Sequence, residues 1–281
     1  MKFVILKTFM VYYVSAMSTS PRYIGILDEL AVEGKETFTT RDVEELARLS
    51  PQAASNLLTR LVHRGLVDRV ARGHYVMRPF GALGTRAAAE DITLPVGAVF
   101  AGRPHRIAYR SALDWHGLLE HPSRRIVLAV GKRPALRQLS GRPLRVVLER
   151  PDRIEIGAIQ AGHGARVSSL ERALVESAAR PILAGGIQVV ATALARARTN
   201  PDALEEVARV LGARSALHRL GSIAETLGLH PVADRLEPLS SIGRPISLDP
   251  ELADETDGWR DEKWGVDWPF PAKELEETVR R

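Results

Sequence analysis

This 281-residue chain has eight histidines and 34 acidic residues, and chemistry would require some of them to share a working spacing. His105, His116 and His121 are neighbours in sequence, but they lack the i, i+4 placement on one helix that a histidine metal pair uses. Gly162-His163-Gly164 has neither the third glycine nor the following helix start of a dinucleotide site. No GxxxxGK[ST] or GxSxG motif occurs, and the absence of cysteine excludes disulfides, thiolate nucleophiles and cysteine-ligated zinc. Asp254, Asp261 and Glu262 beside Lys263 would serve a nuclease if they converged on Mg²⁺. They stand in a glycine- and proline-containing charged stretch, which a solvated tail explains better. No catalytic residue, metal or cofactor is therefore assigned, and a non-enzyme is expected.

The residues that do point to a partner lie between 50 and 80. In a helix opening at Ser50-Pro51, Ala54, Leu57, Leu58, Leu61 and Val62 recur at helical spacing and must face inward. Gln52, Ser55, Asn56, Thr59, Arg60 and His63 are left outside, with side chains that suit base edges and phosphates. Arg60, Arg64, Arg69, Arg72 and Arg78 stand against Asp68 alone, a formal +4 over residues 50–80. A merely solvated helical hairpin would mix in glutamate, so double-stranded DNA is the expected partner. Gln52, Ser55, Asn56 and Thr59 are the candidate base readers, with Arg41, Arg60, Arg69, Arg72 and His74 as candidate phosphate contacts.

These residues need a scaffold, and the surrounding sequence predicts a winged helix-turn-helix over 21–80. Residues 21–33 predict a first helix with Ile24, Leu27, Leu30 and Ala31 on one face. Thr39 or Thr40 caps a second helix, with Asp42 in its first turn. Ser50 followed by Pro51 starts the third, and Gly65 supplies its left-handed end. Leu66 and Val70, then Tyr75 and Met77, fit two strands joined at Arg72-Gly73. Residues 1–20 are an N-terminal extension: the apolar run MKFVILKTFMVYYVSA is too short to span a bilayer, and Met17 offers a second start. No membrane partner is expected, and the cytoplasm is the expected compartment.

The chain predicts an α+β protein, with a linker over 81–103 (a short helix near 85–91) and a C-terminal domain over 104–247 holding a small β-sheet and a helical bundle. Tyr109–Leu118 is a short helix stopped by Gly117, and RIVLAV at 125–130 is a strand buried on both faces. PLRVVL at 143–148 and RIEIGAI at 153–159 supply further strands. Ser168 with Glu171 forms a capping box, Pro181 ends that helix, and helices follow over 187–198, 202–211 and 213–227. The net charge of +5 and pI of 9.7 are unevenly spread. Residues 100–153 hold twelve Lys/Arg against four Asp/Glu, while 249–281 hold eleven Asp/Glu against five Lys/Arg. Arg124, Arg125, Lys132, Arg133, Arg137 and Arg142 form a belt that either extends the DNA footprint along the backbone or solvates strand edges. The segment 248–281 reads as an acidic tail carrying Trp259, Trp264 and Trp268; it packs on a protein surface, folding back over the belt or docking elsewhere.

With these elements placed, residues 21–245 resemble the AbiEi family of antitoxins from bacterial abortive-infection and toxin–antitoxin systems. The resemblance rests on YRSALDWHGL at 109–118 and RVSSLERALVESAARPILAGGIQVVATAL at 166–194, beside the less specific winged helix. It implies an N-terminal domain that binds inverted repeats in its own promoter and represses it. It also implies a C-terminal domain that opposes a nucleotidyltransferase-type toxin, in many members without a stable complex. The rival expectation is a ligand-responsive regulator whose C-terminal domain binds a small molecule.

Overall fold

The computed structural model describes residues 21–78, 91–237, 244–252 and 258–280. The expected N-terminal extension, the short helix near 85–91 and Asp254 lie outside or largely outside those residues. The protein is mixed α+β and divides into two units, one of Met1–Val99 with Gln138–Gly141, the other of Phe100–Arg137 with Arg142–Arg281.

Local signals build the first unit. Helix α1 (Pro21–Val32) buries Ile26, Leu27 and Leu30. Ala31, expected on that face, is exposed, and Ile26 is buried on it instead. Strand β1 (Thr37–Thr39) leads into α2 (Thr40–Ala47), whose N-cap is Thr39. The Asp42 amide donates to Thr39 Oγ1 at 3.2 Å, and the Thr39 amide donates back to the Asp42 carboxylate at 2.6 Å, a reciprocal capping box. Burial works to raise the Asp42 pKa, but the Thr39 bonds and nearby Lys35 hold it below its ordinary value. Helix α3 (Pro51–His63) starts on Ser50, which accepts from the Ala53 amide, and Gly65 follows it at φ 67°. Strands β2 (Val67–Ala71) and β3 (His74–Met77) form the hairpin, and β3 lies antiparallel between β1 and β2. Leu66, expected to open the first strand, precedes it by one residue. The helices and sheet close over Leu30, Val43, Leu57, Leu58 and Leu61, with Phe38 stacked on Tyr75.

Two further pieces belong to this unit, the first of them up to Val99. Helix α4 (Thr93–Phe100) begins where Asp91 accepts from the Thr93 amide and hydroxyl, and it buries Val96 and Val99. It occupies the stretch read as linker, whose Gly, Ala and Pro content disguised a short, nearly all-apolar helix. Gln138–Gly141 returns from a distant part of the chain, burying Leu139 and donating the Ser140 amide to the Val70 carbonyl at 2.8 Å.

The sheet of the second unit uses β4 (His105–Ile107), β5 (Ile126–Val130), β6 (Arg142–Leu148), β7 (Ala158–Gly162) and β8 (Ala165–Ser168). Within this unit they run in the order β6–β5–β4–β8–β7. The β5–β6 and β4–β8 pairs are parallel, and β4–β5 and β7–β8 are antiparallel. Every residue of β5 is buried, as its unbroken apolar run requires. The strand expected over 153–159 is corrected. Arg150-Pro151 starts a short helix α6 (Pro151–Glu155), and Gly157, at φ 60°, breaks the chain before β7. The Gly162-His163-Gly164 triplet is the β7–β8 turn, all three residues having positive φ.

Helices α5 (Arg110–Trp115), α7 (Leu170–Ala179), α8 (Pro181–Ala184), α9 (Ile187–Arg196), α10 (Pro201–Leu211), α11 (Arg214–Thr226) and α12 (His230–Leu236) complete the bundle. The cap of α7 is Ser169, which accepts from the Arg172 amide, and not Ser168 as the serine pair suggested. Ser168 is buried in a polar cluster instead. Arg106, fully buried, donates to Ser168 Oγ, to the Ile154 carbonyl and to Glu176 at 2.6 Å. Glu176 also accepts from Ser168 Oγ, from Arg172 and from the Tyr109 amide. Burial raises the Glu176 pKa, but Arg106 and Arg172 outweigh it and hold the carboxyl below its ordinary value. Tyr109 sits at φ 52°, a costly conformation for a bulky residue, and the hydrogen bond its backbone N–H donates to the Glu176 carboxylate holds it there.

The C-terminal segment is not a loose tail. Strand β9 (Ile246–Ser247) pairs in parallel with β11 (Val266–Trp268), which pairs antiparallel with β10 (Trp259–Asp261). Trp264 is 1% exposed and Trp268 2%. Their indole N–H groups donate to Glu225 and to Ser222 Oγ on α11, and the Trp264 ring lies over Gly221. Helix α13 (Ala272–Arg280) packs on α9. Trp264 and Trp268 thus form part of the core of the second unit.

Candidate nucleic-acid interface

Helix α3 presents the side chains that the sequence singled out. Ala54, Leu57, Leu58 and Leu61 are buried and Val62 packs beside them. That orientation leaves Gln52, Ser55, Asn56, Thr59, Arg60 and His63 exposed on the opposite side. Two hydrogen bonds link four of these residues along the helix. Gln52 Nε2 donates to Asn56 Oδ1 at 3.1 Å, and Thr59 Oγ1 donates to the Ser55 carbonyl at 2.9 Å. Thr59 therefore offers outward its methyl group and hydroxyl lone pairs, with its proton already used.

The hairpin is tied to the start of α2, because the Thr40 amide donates to the Gly73 carbonyl at 3.1 Å. Gly73, at φ 75°, makes the turn, leaving Arg72 exposed at its tip and Arg69 exposed on β2. His74 is half-buried, so its ring is less available than the sequence suggested. Arg41 is exposed on α2 and pairs with Glu45 one turn on, an interaction weak enough to be exchanged at a surface. Arg78, counted in the charge surplus, is committed elsewhere: it is nearly buried and donates twice to Asp68, at 2.6 and 2.9 Å. Arg64 was assigned no role, yet it is exposed one turn beyond Arg60 at the end of α3. The i, i+4 spacing from Arg60 is the signal that could have found it.

In the second unit Arg124, Arg125, Lys132, Arg133 and Arg137 are exposed, and none makes an ion pair among the described residues. Arg142 differs from the other belt residues. It is half-buried, donates to the Ser123 carbonyl and has its pKa lowered by burial. Arg145, on the same strand, is exposed in its place. Of the residues considered for nuclease chemistry, Asp261 accepts from Ser222 Oγ and the Trp264 amide, Glu262 is exposed, and Lys263 forms a half-exposed ion pair with Glu225. His105 and His116 hold backbone groups of Arg103, Arg166 and Ser168, while His121 is exposed. Among the described residues no group of three or more His, Asp or Glu side chains could hold a metal ion. None of the helices described is long and apolar enough to cross a membrane.

Comparison with known proteins agrees with this geometry where it is most regular. Residues 26–78 match the family model described as "Transcriptional regulator, AbiEi antitoxin". That match ends with the hairpin, whereas the sequence likeness was drawn over 21–245. A search of the curated proteins finds no match. Among solved structures, the RV2827C protein from Mycobacterium tuberculosis is similar in fold at a TM-score of 0.64 and 18% identity, over 93% of this chain and 96% of that one.

Proposed function

We propose that the chain is a cytoplasmic DNA-binding autorepressor and antitoxin whose first unit is a winged helix-turn-helix. The outward face of α3 carries this reading: it is wholly exposed, polar or cationic, and has no carboxylate. In the reading, α3 enters the major groove and presents Gln52, Ser55, Asn56 and Thr59 to base edges. Arg60 and Arg64 follow the groove wall. The β2–β3 hairpin is the wing, with Arg69, Arg72 and half-buried His74 beside the phosphates and Arg41 reaching them from α2. The exposed cations Arg124, Arg125, Lys132, Arg133 and Arg137 add backbone contacts from the second unit. The family description over 26–78 supports both transcriptional regulation and the antitoxin role. The operator is taken to be inverted repeats in the chain's own promoter, and the opposed toxin to be a nucleotidyltransferase that need not form a stable complex.

Nuclease footprinting of the full-length protein on its own promoter tests the first part. Protection of two inverted half-sites is expected, with Arg72→Ala weakening binding to all sequences alike and lowering the salt slope by about one counterion. An unprotected promoter refutes autorepression, and an unchanged slope removes Arg72 from the interface. Co-expression with the product of the adjacent gene tests the second part. Growth that is not restored when that product is toxic refutes the antitoxin role.

A further inference from the structure

The polar stripe on α3 is internally organised, and its organisation names a base. Gln52 and Asn56 are both exposed and one turn apart, and the Gln52 amide N–H₂ donates to Asn56 Oδ1 at 3.1 Å. In this arrangement Asn56 Oδ1 faces Gln52 and its Nδ2 group points away from that bond. A carbonyl oxygen has two lone pairs, so Oδ1 retains one for a second donor. Asn56 thus presents one acceptor beside one donor. Adenine shows the complementary pair in the major groove, the N6–H₂ donor beside the N7 acceptor. Guanine shows two acceptors there, cytosine a donor alone, and thymine an acceptor with a methyl group.

The surroundings favour the same base pair. Thr59, the next residue along the stripe, has given its hydroxyl proton to Ser55 and presents a methyl group. No charged side chain precedes Arg60 on this helix, so nothing in its first two turns offers the paired donors that guanine takes from arginine or lysine.

From this arrangement we infer that Asn56 is the residue that selects an adenine in each half-site and that Gln52 is its positioning residue, holding the Asn56 amide in the reading orientation before DNA arrives. This inference rests on the reading of α3 as the groove helix. Gln52 contributes by preorganisation. Without it the Asn56 amide samples both flips and several rotamers, which binding must then freeze.

The test uses the full-length protein and a pool of random 20-base-pair duplexes. Sites selected by wild type are expected to contain a fixed adenine, and replacing it with any other base lowers affinity roughly 10- to 100-fold. Replacing it with 7-deazaadenine, which lacks N7, lowers affinity roughly 5- to 10-fold. Asn56→Ala should lose both effects. Gln52→Ala should bind the adenine site about 3- to 10-fold more weakly than wild type while keeping the 7-deazaadenine penalty, since the reader is intact. A penalty that survives in Asn56→Ala and vanishes in Gln52→Ala overturns the assignment. Selected sites without a fixed adenine, or an unchanged Gln52→Ala, overturn it too, and both leave the groove reading standing. If wild type selects no sequence at all, the groove reading itself fails.

Discussion

Replacing Gly221 by alanine distinguishes a packed C-terminal segment from a loose one by the sign of the effect. A glycine in the middle of a helix costs roughly 0.5–1 kcal/mol relative to alanine, so on an unobstructed helix face the replacement would stabilise the protein. In the folded chain, however, a methyl at Gly221 would lie 2.1 to 2.4 Å from three carbons of the Trp264 ring. The ring has little room to retreat. Trp264 is almost completely buried, and its indole N–H is bonded to Glu225 at 2.8 Å. Its own carbonyl is bonded to buried His218. Either the indole leaves its slot or the helix moves, and overpacking of this kind costs about 1–3 kcal/mol or more. After subtracting the propensity gain, Gly221→Ala should destabilise the unit by about 1–2 kcal/mol. For a unit of this size that is a fall in Tm of roughly 2–8 °C. Calorimetry on the full-length protein measures it, with Trp264 fluorescence reporting the displaced ring. In the Trp264→Ala background, already weakened by about 3–5 kcal/mol, the same replacement should become neutral or stabilising. A raised Tm for Gly221→Ala in the wild-type background refutes the packing of Trp264 on α11.

Other outcomes follow from the buried groups. Glu176→Gln leaves Arg106 and Arg172 with an unbalanced buried charge, and chemical denaturation should show a loss of about 3–5 kcal/mol. His105 donates Nδ1–H to the Arg103 carbonyl and accepts at Nε2 from the Arg166 amide, so it is buried neutral. Burial first, then the charge of Arg166, lowers its pKa against the opposing pull of the Arg103 carbonyl. The folded state therefore binds fewer protons than the unfolded one below about pH 6.5, and stability should fall as pH drops through that point, by at most about 1.4 kcal/mol per pH unit from this residue. His105→Gln, which keeps a donor and an acceptor without titrating, should show a correspondingly shallower pH dependence. Deleting residues 249–281 should abolish cooperative unfolding of the second unit, seen as lost near-ultraviolet dichroism. A deletion variant that stays folded and binds DNA more tightly would restore the picture of an acidic tail competing for the basic belt.

The three helices and the hairpin over 21–78 were legible because their signals are local, whereas β1, α4 and Gln138–Gly141 of the same unit were not. Thr39 with Asp42, Ser50 with Pro51, and Gly65 and Gly73 each decide a cap or turn from residues within a few positions, and the structure uses all of them. The second unit depends on distant partners. β4 has only three residues, too few for a periodic pattern, and is made a strand by β5 and β8 on either side. Ser168 resembles a cap until Arg106 and Glu176, far away in sequence, claim its hydroxyl. Trp264 and Trp268 sit in a stretch without period because their fit is to Gly221 and Ser222 on a helix some forty residues earlier. At the interface, sequence spacing identified which residues of α3 face outward. The Gln52–Asn56 bond and the spent Thr59 proton required coordinates.

The return of Gln138–Gly141 to the first unit imposes an order in time. A ribosome adds about 5–20 residues per second, so roughly 3–12 seconds separate the synthesis of Met77 from that of the Ser140 amide that bonds Val70. During that interval the nascent hairpin exists without its final hydrogen bond and without buried Leu139. A transcript cut short before codon 138 would yield a protein with every residue proposed to touch bases and an unfinished hairpin. A stretch of gene that ends with the hairpin does not encode the whole unit, and any shuffling that preserves it must carry the intervening sequence along.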